Sequence, residues 1–421
     1  MLKVAVLGAG VSGLTVARKL QEAGADVTVY EQEDTVGGLA RSRITDGYTF
    51  DCHGGHIFNS KHPEVVKWVF SLLPARRWKY NIRNAKILFH NRFVSYPFEL
   101  ALSEINPDDA VSYFLDLVAA RKGKEPSNFH DWLLWHFGKG IAQAYMIPYN
   151  SKIWHYPLRQ METGWMRGKM PVLDPAPILK ALISQNASER GMVHSTFYYP
   201  LRGGIQTMVD AIAAGLRVRL SCPVFSCERR GNKWLINKES TYDKVINTLP
   251  LPELRTIMPS LPGKIQQALT GLRYNSLTTA LFACPSTDIS WLYIPSQAYR
   301  MHRVGFQSAL TPYAVPRGKG GSGALEIIGS PFKVTSQIIH QLPPLLKAKR
   351  LIDSQFTKYA YVIHDMHYRA NTTAIRTYFN GRKGFYLLGR WGLWNYKNMD
   401  LCMLDAFELA KRILNDSKHN A

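Results

Sequence analysis

Residues 3–41 read KVAVLGAGVSGLTVARKLQEAGADVTVYEQEDTVGGLAR, and the fold follows from how this stretch is punctuated. Val4 to Leu7 form an apolar run of the kind that a buried parallel strand needs. Gly8, Gly10 and Gly13 follow at once in G-x-G-x-x-G spacing. Leu14, Ala17 and Leu20 then recur at helix spacing, and Val27 to Tyr30 supply a second strand that Glu31 closes. Gly8 permits a tight turn, Gly10 lets a pyrophosphate approach the backbone, and Gly13 lets helix and strand pack closely. The helix start offers N–H groups and a positive dipole end, and Glu31 can accept hydrogen bonds from ribose hydroxyls. A glycine triplet alone is a weak signal. Strand, helix and acidic residue in register make it a dinucleotide-binding unit.

Gly37, Gly38, Leu39, Ala40 and Arg41 continue the stretch as G-G-x-x-R. This resembles the flavoprotein superfamily of amine oxidases, phytoene desaturases and nucleotide-sugar mutases, in which the arginine and its loop sit over the flavin pyrophosphate. The resemblance implies FAD rather than NAD, held by Gly8, Gly10, Gly13, Glu31, Gly38 and Arg41. It also implies an α/β protein with a discontinuous Rossmann-type FAD-binding domain, a helical insertion and an antiparallel-sheet substrate domain. On this reading residues 1–80, 198–265 and 375–415 form the FAD-binding domain, and 100–195 the helical domain. Residues 81–99 and 266–374 form the substrate domain, and 416–421 a mobile tail.

The chain has 421 residues, 46% hydrophobic and 20% charged, which describes an ordered protein of more than one packed unit. Its five cysteines are odd in number and lack C-x-x-C spacing, which argues against a disulfide framework or a metal site and for a reducing cytoplasm. No apolar run is long enough to predict a membrane span. The net charge of +21 favours anionic partners, among them a phosphate-rich substrate or a membrane surface. The basic residues are scattered, apart from a small cluster from Lys347 to Arg350, and no recognition motif accompanies them, so nucleic acid is not expected. A homodimer is left open.

Further along, segments resemble UDP-galactopyranose mutases more narrowly. Gly54-Gly55-His56-Ile57-Phe58 is similar to their flavin-touching loop, which assigns Gly55 and His56 to the cofactor and His56 also to catalysis. The competing reading of His56 is a histidine that caps a strand end. Val94 to Phe98 matches a V-x-Y-P-F segment, placing Tyr96 and Phe98 near substrate, with Glu99 where the family usually has an amide. Tyr149 to Trp154 matches Y-x-x-K-x-W, which places Trp154 by the sugar nucleotide; plain core packing is the competing reading. Arg167 falls where those enzymes carry a substrate-clamping arginine, though the local sequence matches poorly. Arg303 matches an arginine that grips the substrate diphosphate, a role suited to a planar fork of donors, against the reading of an ordinary surface arginine. Tyr361 matches a tyrosine on the same diphosphate. Gly389-Arg390-Trp391-Gly392-Leu393-Trp394-Asn395-Tyr396 resembles the superfamily's last flavin motif. It assigns Gly389 and Arg390 to the flavin and Tyr396 to the substrate phosphates. Asn398 stands where bacterial mutases often have an acid, and Met399 opens the closing helix.

The resemblance implies a redox-neutral interconversion of pyranose and furanose forms of a nucleoside-diphosphate sugar. In that reaction the N5 of reduced FAD attacks the anomeric carbon and displaces the diphosphate, with catalysis assigned to His56, Arg303, Tyr361 and Tyr396. An FAD-dependent oxidoreductase of the amine oxidase or desaturase type is the alternative; a flavin-bound scaffold is a third reading.

Overall fold

The computed structural model describes residues 1–166, 174–184 and 195–418. The opening stretch forms β1 (Lys3–Leu7), α1 (Val11–Glu22) and β2 (Asp26–Tyr30). The two strands pair in parallel, from Lys3 opposite Asp26 to Leu7 opposite Tyr30. A five-stranded sheet grows around them in the order Phe385–Leu387, Lys244–Asn247, β1, β2, Val218–Arg219. Every pairing in it is parallel, so strands far apart in the chain are neighbours. Both faces are covered, which is why β1 is apolar at consecutive positions. Val4 and Val6 pack with Leu14, Ala17, Met403 and Ala406 on one face. Ala5 and Leu7 pack with Val245, Leu254 and Ile375 on the other.

The second large sheet has seven strands. Five are β3 (Arg273–Cys284), β4 (Trp291–Tyr293), β5 (Arg303–Gly305), β6 (Gly321–Ile328) and β7 (Arg350–Ile363). Their order is β7, β3, β6, β5, β4, followed by Ala85–Phe89 and Arg92–Ser95. The pairings are antiparallel except that between β4 and Ala85–Phe89. One cross-strand row runs Gln355, Thr279, Glu326, Arg303, Tyr293. Residues directly opposite one another share a face, so these five side chains stand on one side of the sheet.

The segment between these parts is helical, with Pro107–Ala119, Phe129–Ile141 and Ile147–Trp154. Asn106 and Asn128 cap the first two, Asn106 accepting from the N–H groups of Asp108 and Asp109 and Asn128 from that of Asp131. Trp132 and Phe137 are buried, in accord with a core role. From sequence, Val111, Phe114, Leu115, Leu117 and Val118 mostly share one side of a helix over Asp108 to Ala120; in the structure Ala110 and Leu117 are buried while Val111, Leu115 and Val118 are exposed. Residues 61–80 read from sequence as a helix after Pro63; the structure has Pro63–Leu72 only, because Pro74 cannot continue it, and Trp78–Ile82 pairs as a strand with Thr196–Pro200. The closing helix extends to Lys418, beyond the start of the expected tail. Among the described residues no helix is long and apolar enough to cross a membrane, and no cluster of metal-ligating side chains occurs.

Candidate functional site

A cleft of about 590 Å³ runs between the glycine-rich turn and the face of the seven-stranded sheet that carries the cross-strand row. Gly8, Gly10, Glu31, Gly38 and Arg41 line it on the side of α1. Gly55, His56, Arg390 and Met399 line it further along, and Arg303, Tyr361, Tyr396 and Asn398 complete it.

The turn is shaped as its glycines require. Gly8 has φ +100°, a conformation that side chains disfavour. A Cβ on Gly13 would lie 2.0 Å from the Gly8 carbonyl oxygen, so helix and strand touch there. A Cβ on Gly10 would meet nothing within 4 Å, which leaves its approach open to a ligand. No side chain caps α1, and its first N–H groups lack intrahelical partners. Glu31 sits behind them, its Oε2 accepting from Ala9 N at 2.8 Å and its Oε1 from Glu33 N at 3.1 Å. Gly389 packs rather than lines: it has φ +81°, and a Cβ there would lie 2.3 Å from Ser12 Oγ. This is a cradle for a pyrophosphate, made of backbone donors and a dipole.

Arg390 spans cradle and sheet. Its guanidinium lies 4.3 Å from the ring centre of Tyr396 and 5.7 Å from that of Tyr361. Its Nε is buried with no hydrogen-bond acceptor among the described residues. An orphaned donor at a cleft wall fits a polar group entering the cleft, such as a flavin.

His56 Nδ1 donates to the Gly54 carbonyl at 2.8 Å, which leaves Nε2 as an acceptor. Burial, reinforced by the charges of Arg390 and Arg303, lowers its pKa to about 4, so it is neutral at pH 7. The hairpin leading to it is pinned by Asp51, which accepts from Ser42 Oγ at 2.6 Å and from Tyr199 OH at 2.9 Å. Burial raises that carboxyl to about 6.

The opposite wall is aromatic and cationic. Burial keeps the Tyr361 phenol protonated well above its ordinary range. Trp154 is buried behind the tyrosines, edge-on to Tyr361 at 6.2 Å and to Tyr396 at 6.3 Å. Tyr96 stacks on Tyr293 at 4.8 Å, and Phe98 is fully buried against Tyr145. Neither these two nor Trp154 lines the cleft. Arg167 lies outside the described residues. Lys152, the other marked residue of the Y-x-x-K-x-W segment, donates to the carbonyls of Ile294, Ser296 and Met301 at 2.7–2.8 Å. It fastens the helix to the loop that leads into β5.

Three residues of the cross-strand row escape a local reading of the sequence: Gln355, which lines the cleft, and Glu326 and Tyr293, which stand beside Arg303 without lining it. Glu326 is fully buried and receives both ends of the Arg303 fork, at 3.0 Å from Nε and 2.8 Å from Nη2. Burial alone would weaken the charge of Arg303; the Glu326 carboxylate outweighs it, and the guanidinium stays far above its ordinary pKa. The available signal was a lone acid in a strand with no other charge, Gly321–Ile328.

A model of the family of flavin containing amine oxidoreductases matches residues 11–321. The chain belongs to that family. Its cofactor is accordingly FAD, and the cradle has the residues to hold it. Mitochondrial protoporphyrinogen oxidase of Nicotiana tabacum is 26% identical over 312 residues, covering 61% of this chain and 59% of that protein. A probable UDP-galactopyranose mutase of Klebsiella pneumoniae is 26% identical over 223 residues, covering 50% of this chain and 52% of the other. The chain thus spans between half and three fifths of the length of these two curated relatives. The fold is that of reduced UDP-galactopyranose mutase, with TM-score 0.87 at 24% identity over 99% of this chain and 96% of that one. A putative protoporphyrinogen oxidase from Exiguobacterium sp. 255-15 gives TM-score 0.74 at 14% identity, covering 98% of both chains.

Proposed function

We propose that this flavoenzyme is a nucleotide-sugar mutase that interconverts pyranose and furanose forms of a nucleoside-diphosphate sugar. The observation that carries the reading is the wall facing the cofactor cradle: Arg303, Arg390, Tyr361 and Tyr396 together in one cleft. Guanidinium groups and protonated phenols are donors for a diphosphate leaving group. They are a poor lining for an apolar hydrocarbon. The fold shared with reduced UDP-galactopyranose mutase and the match to the Klebsiella protein support the same reading.

In this account reduced FAD supplies the nucleophile for the anomeric carbon. The chain's own residues do the rest. Arg303, Tyr361 and Tyr396 receive the diphosphate as it separates and hold it for the return step. His56, neutral with an acceptor at Nε2, would accept a hydrogen bond from a group bound in the cleft without adding charge. Asn398 also lines the cleft, where it can bind the sugar or phosphate. Trp154 holds the phenols of Tyr361 and Tyr396 in place from behind, Phe98 packs on Tyr145 deeper in the core, and Tyr96 steadies Tyr293.

The test uses the protein reduced with dithionite and given a panel of UDP-, dTDP- and GDP-sugars, with oxygen uptake followed in parallel. Furanose product formed only by the reduced protein is the expected result. Oxygen consumed on an amine or an apolar substrate, with no furanose, would move the chain to the oxidoreductase reading that its family name suggests.

A further inference from the structure

Arg303 meets the cleft as half of a neutral pair. Of the five N–H donors of its guanidinium, Glu326 engages two, those on Nε and Nη2. Glu326 lies directly opposite Arg303 in the ladder between β5 and β6. Its carboxylate sits beneath the flavin-side loop, where a Cβ on Gly54 would stand 3.4 Å from both oxygens. His302 Nε2 is 3.6 Å from Oε2. Burial, with the nearby charges of Arg303 and Lys152, keeps that imidazole neutral, so Arg303 supplies the positive charge that the carboxylate faces.

We propose that Glu326 is a positioning residue that sets the anion affinity of the cleft, holding the Arg303 fork against the sheet and cancelling its charge. A diphosphate then meets the remaining N–H donors of Arg303 as hydrogen bonds rather than as an uncompensated cation. That suits a reaction in which the diphosphate must separate from the sugar and rejoin it. Binding that is equally tight before and after bond cleavage does nothing for the chemical step and slows release. The inference rests on the nucleotide-sugar reading above.

The experiment titrates UDP into the reduced, FAD-loaded protein and into Glu326→Gln, Arg303→Gln and the double variant. Glu326→Gln should bind UDP about tenfold tighter or more at low salt, because the charge it exposes acts in a cleft of low dielectric. The gain should fade at about 0.5 M salt, and kcat should fall as release slows. Arg303→Gln should weaken binding, and the gain should vanish in the double variant. A purely structural Glu326 gives the opposite sign: Arg303 slips and UDP binds more weakly. That result, or a gain that survives Arg303→Gln, overturns the proposal. Because a buried guanidinium without its partner strains the fold, Glu326→Asp accompanies the series. It keeps the charge and should bind UDP within about threefold of the parent; tightening as large as that expected for Gln overturns the charge account. If the parent protein binds no UDP, the nucleotide-sugar reading itself falls. If it binds UDP and Arg303→Gln weakens it, yet Glu326→Gln does not tighten it, only the role of Glu326 falls.

Discussion

The two walls of the cleft are built by different means. The cradle wall is backbone: glycines at 8, 10 and 13, the uncapped start of α1 and one acid at the end of β2. The facing wall is side chain: Arg303 and Gln355 reach it from one row across the sheet, Glu326 stands behind Arg303, and Tyr361, Tyr396 and Arg390 close over it. A backbone site tolerates almost nothing at its glycines, since a single Cβ fills the space. A side-chain site can be tuned one group at a time. The cradle should therefore fail outright and the sheet wall by degrees.

Gly13→Val should show the largest effect. Its Cβ would overlap the Gly8 carbonyl oxygen at 2.0 Å, so turn and helix must separate. The purified variant should lack the flavin absorbance of the parent and unfold at lower temperature; full flavin occupancy would break the contrast between the walls. Arg303→Ala should keep its flavin while kcat/KM for the sugar nucleotide falls about 10²- to 10³-fold. Retained activity and affinity would remove the diphosphate role.

Glu99→Gln should act on stability rather than chemistry. Burial raises this carboxyl from 4.5 to about 7, and its Oε2 has no hydrogen-bond partner among the described residues. A folded pKa raised above the unfolded one means that the native state holds the extra proton, so Glu99 costs stability progressively as pH rises from about 4.5 through 7. The amide variant should match the parent near pH 4 and exceed it by about 2 to 3 kcal/mol at pH 8 in denaturant unfolding. Equal curves at both pH values would contradict the assignment. Trp154→Phe should do least. The ring packs behind Tyr361 and Tyr396, so KM should change by less than about tenfold, whereas a direct stacking role would cost more.

The same contrast explains what the sequence could say. The cradle was legible because its logic is local: Gly8, Gly10, Gly13 and Glu31 stand at spacings set by one turn and one helix, and the structure keeps that order. Gly37 to Arg41 were legible for the same reason. Arg303, Tyr361 and Tyr396 were reached only through resemblance of short segments, which marks a neighbourhood and not a direction. That is why Trp154, Tyr96 and Phe98, from equally similar segments, stand behind the cleft and not on its surface. Glu326 stood out as a lone acid in its strand, but its pairing with Arg303 was out of reach. Its partner is 23 positions away, across a ladder whose register no local pattern specifies. The helix Pro107–Ala119 shows the reverse limit: Val111, Leu115 and Val118 suggested a core face, yet packing chose the side of Ala110 and Leu117.

The measurement that bears most directly on the central claim is the number of product molecules formed per electron pair supplied. The protein is reduced once under anaerobic conditions, the excess reductant is removed, and the accepted sugar nucleotide is added while flavin absorbance and product are followed together. A redox-neutral mutase should form many furanose molecules per flavin while the flavin stays reduced. Product limited to one per reducing equivalent, with the flavin reoxidised in step, would contradict the account and return the chain to the oxidoreductases of its family.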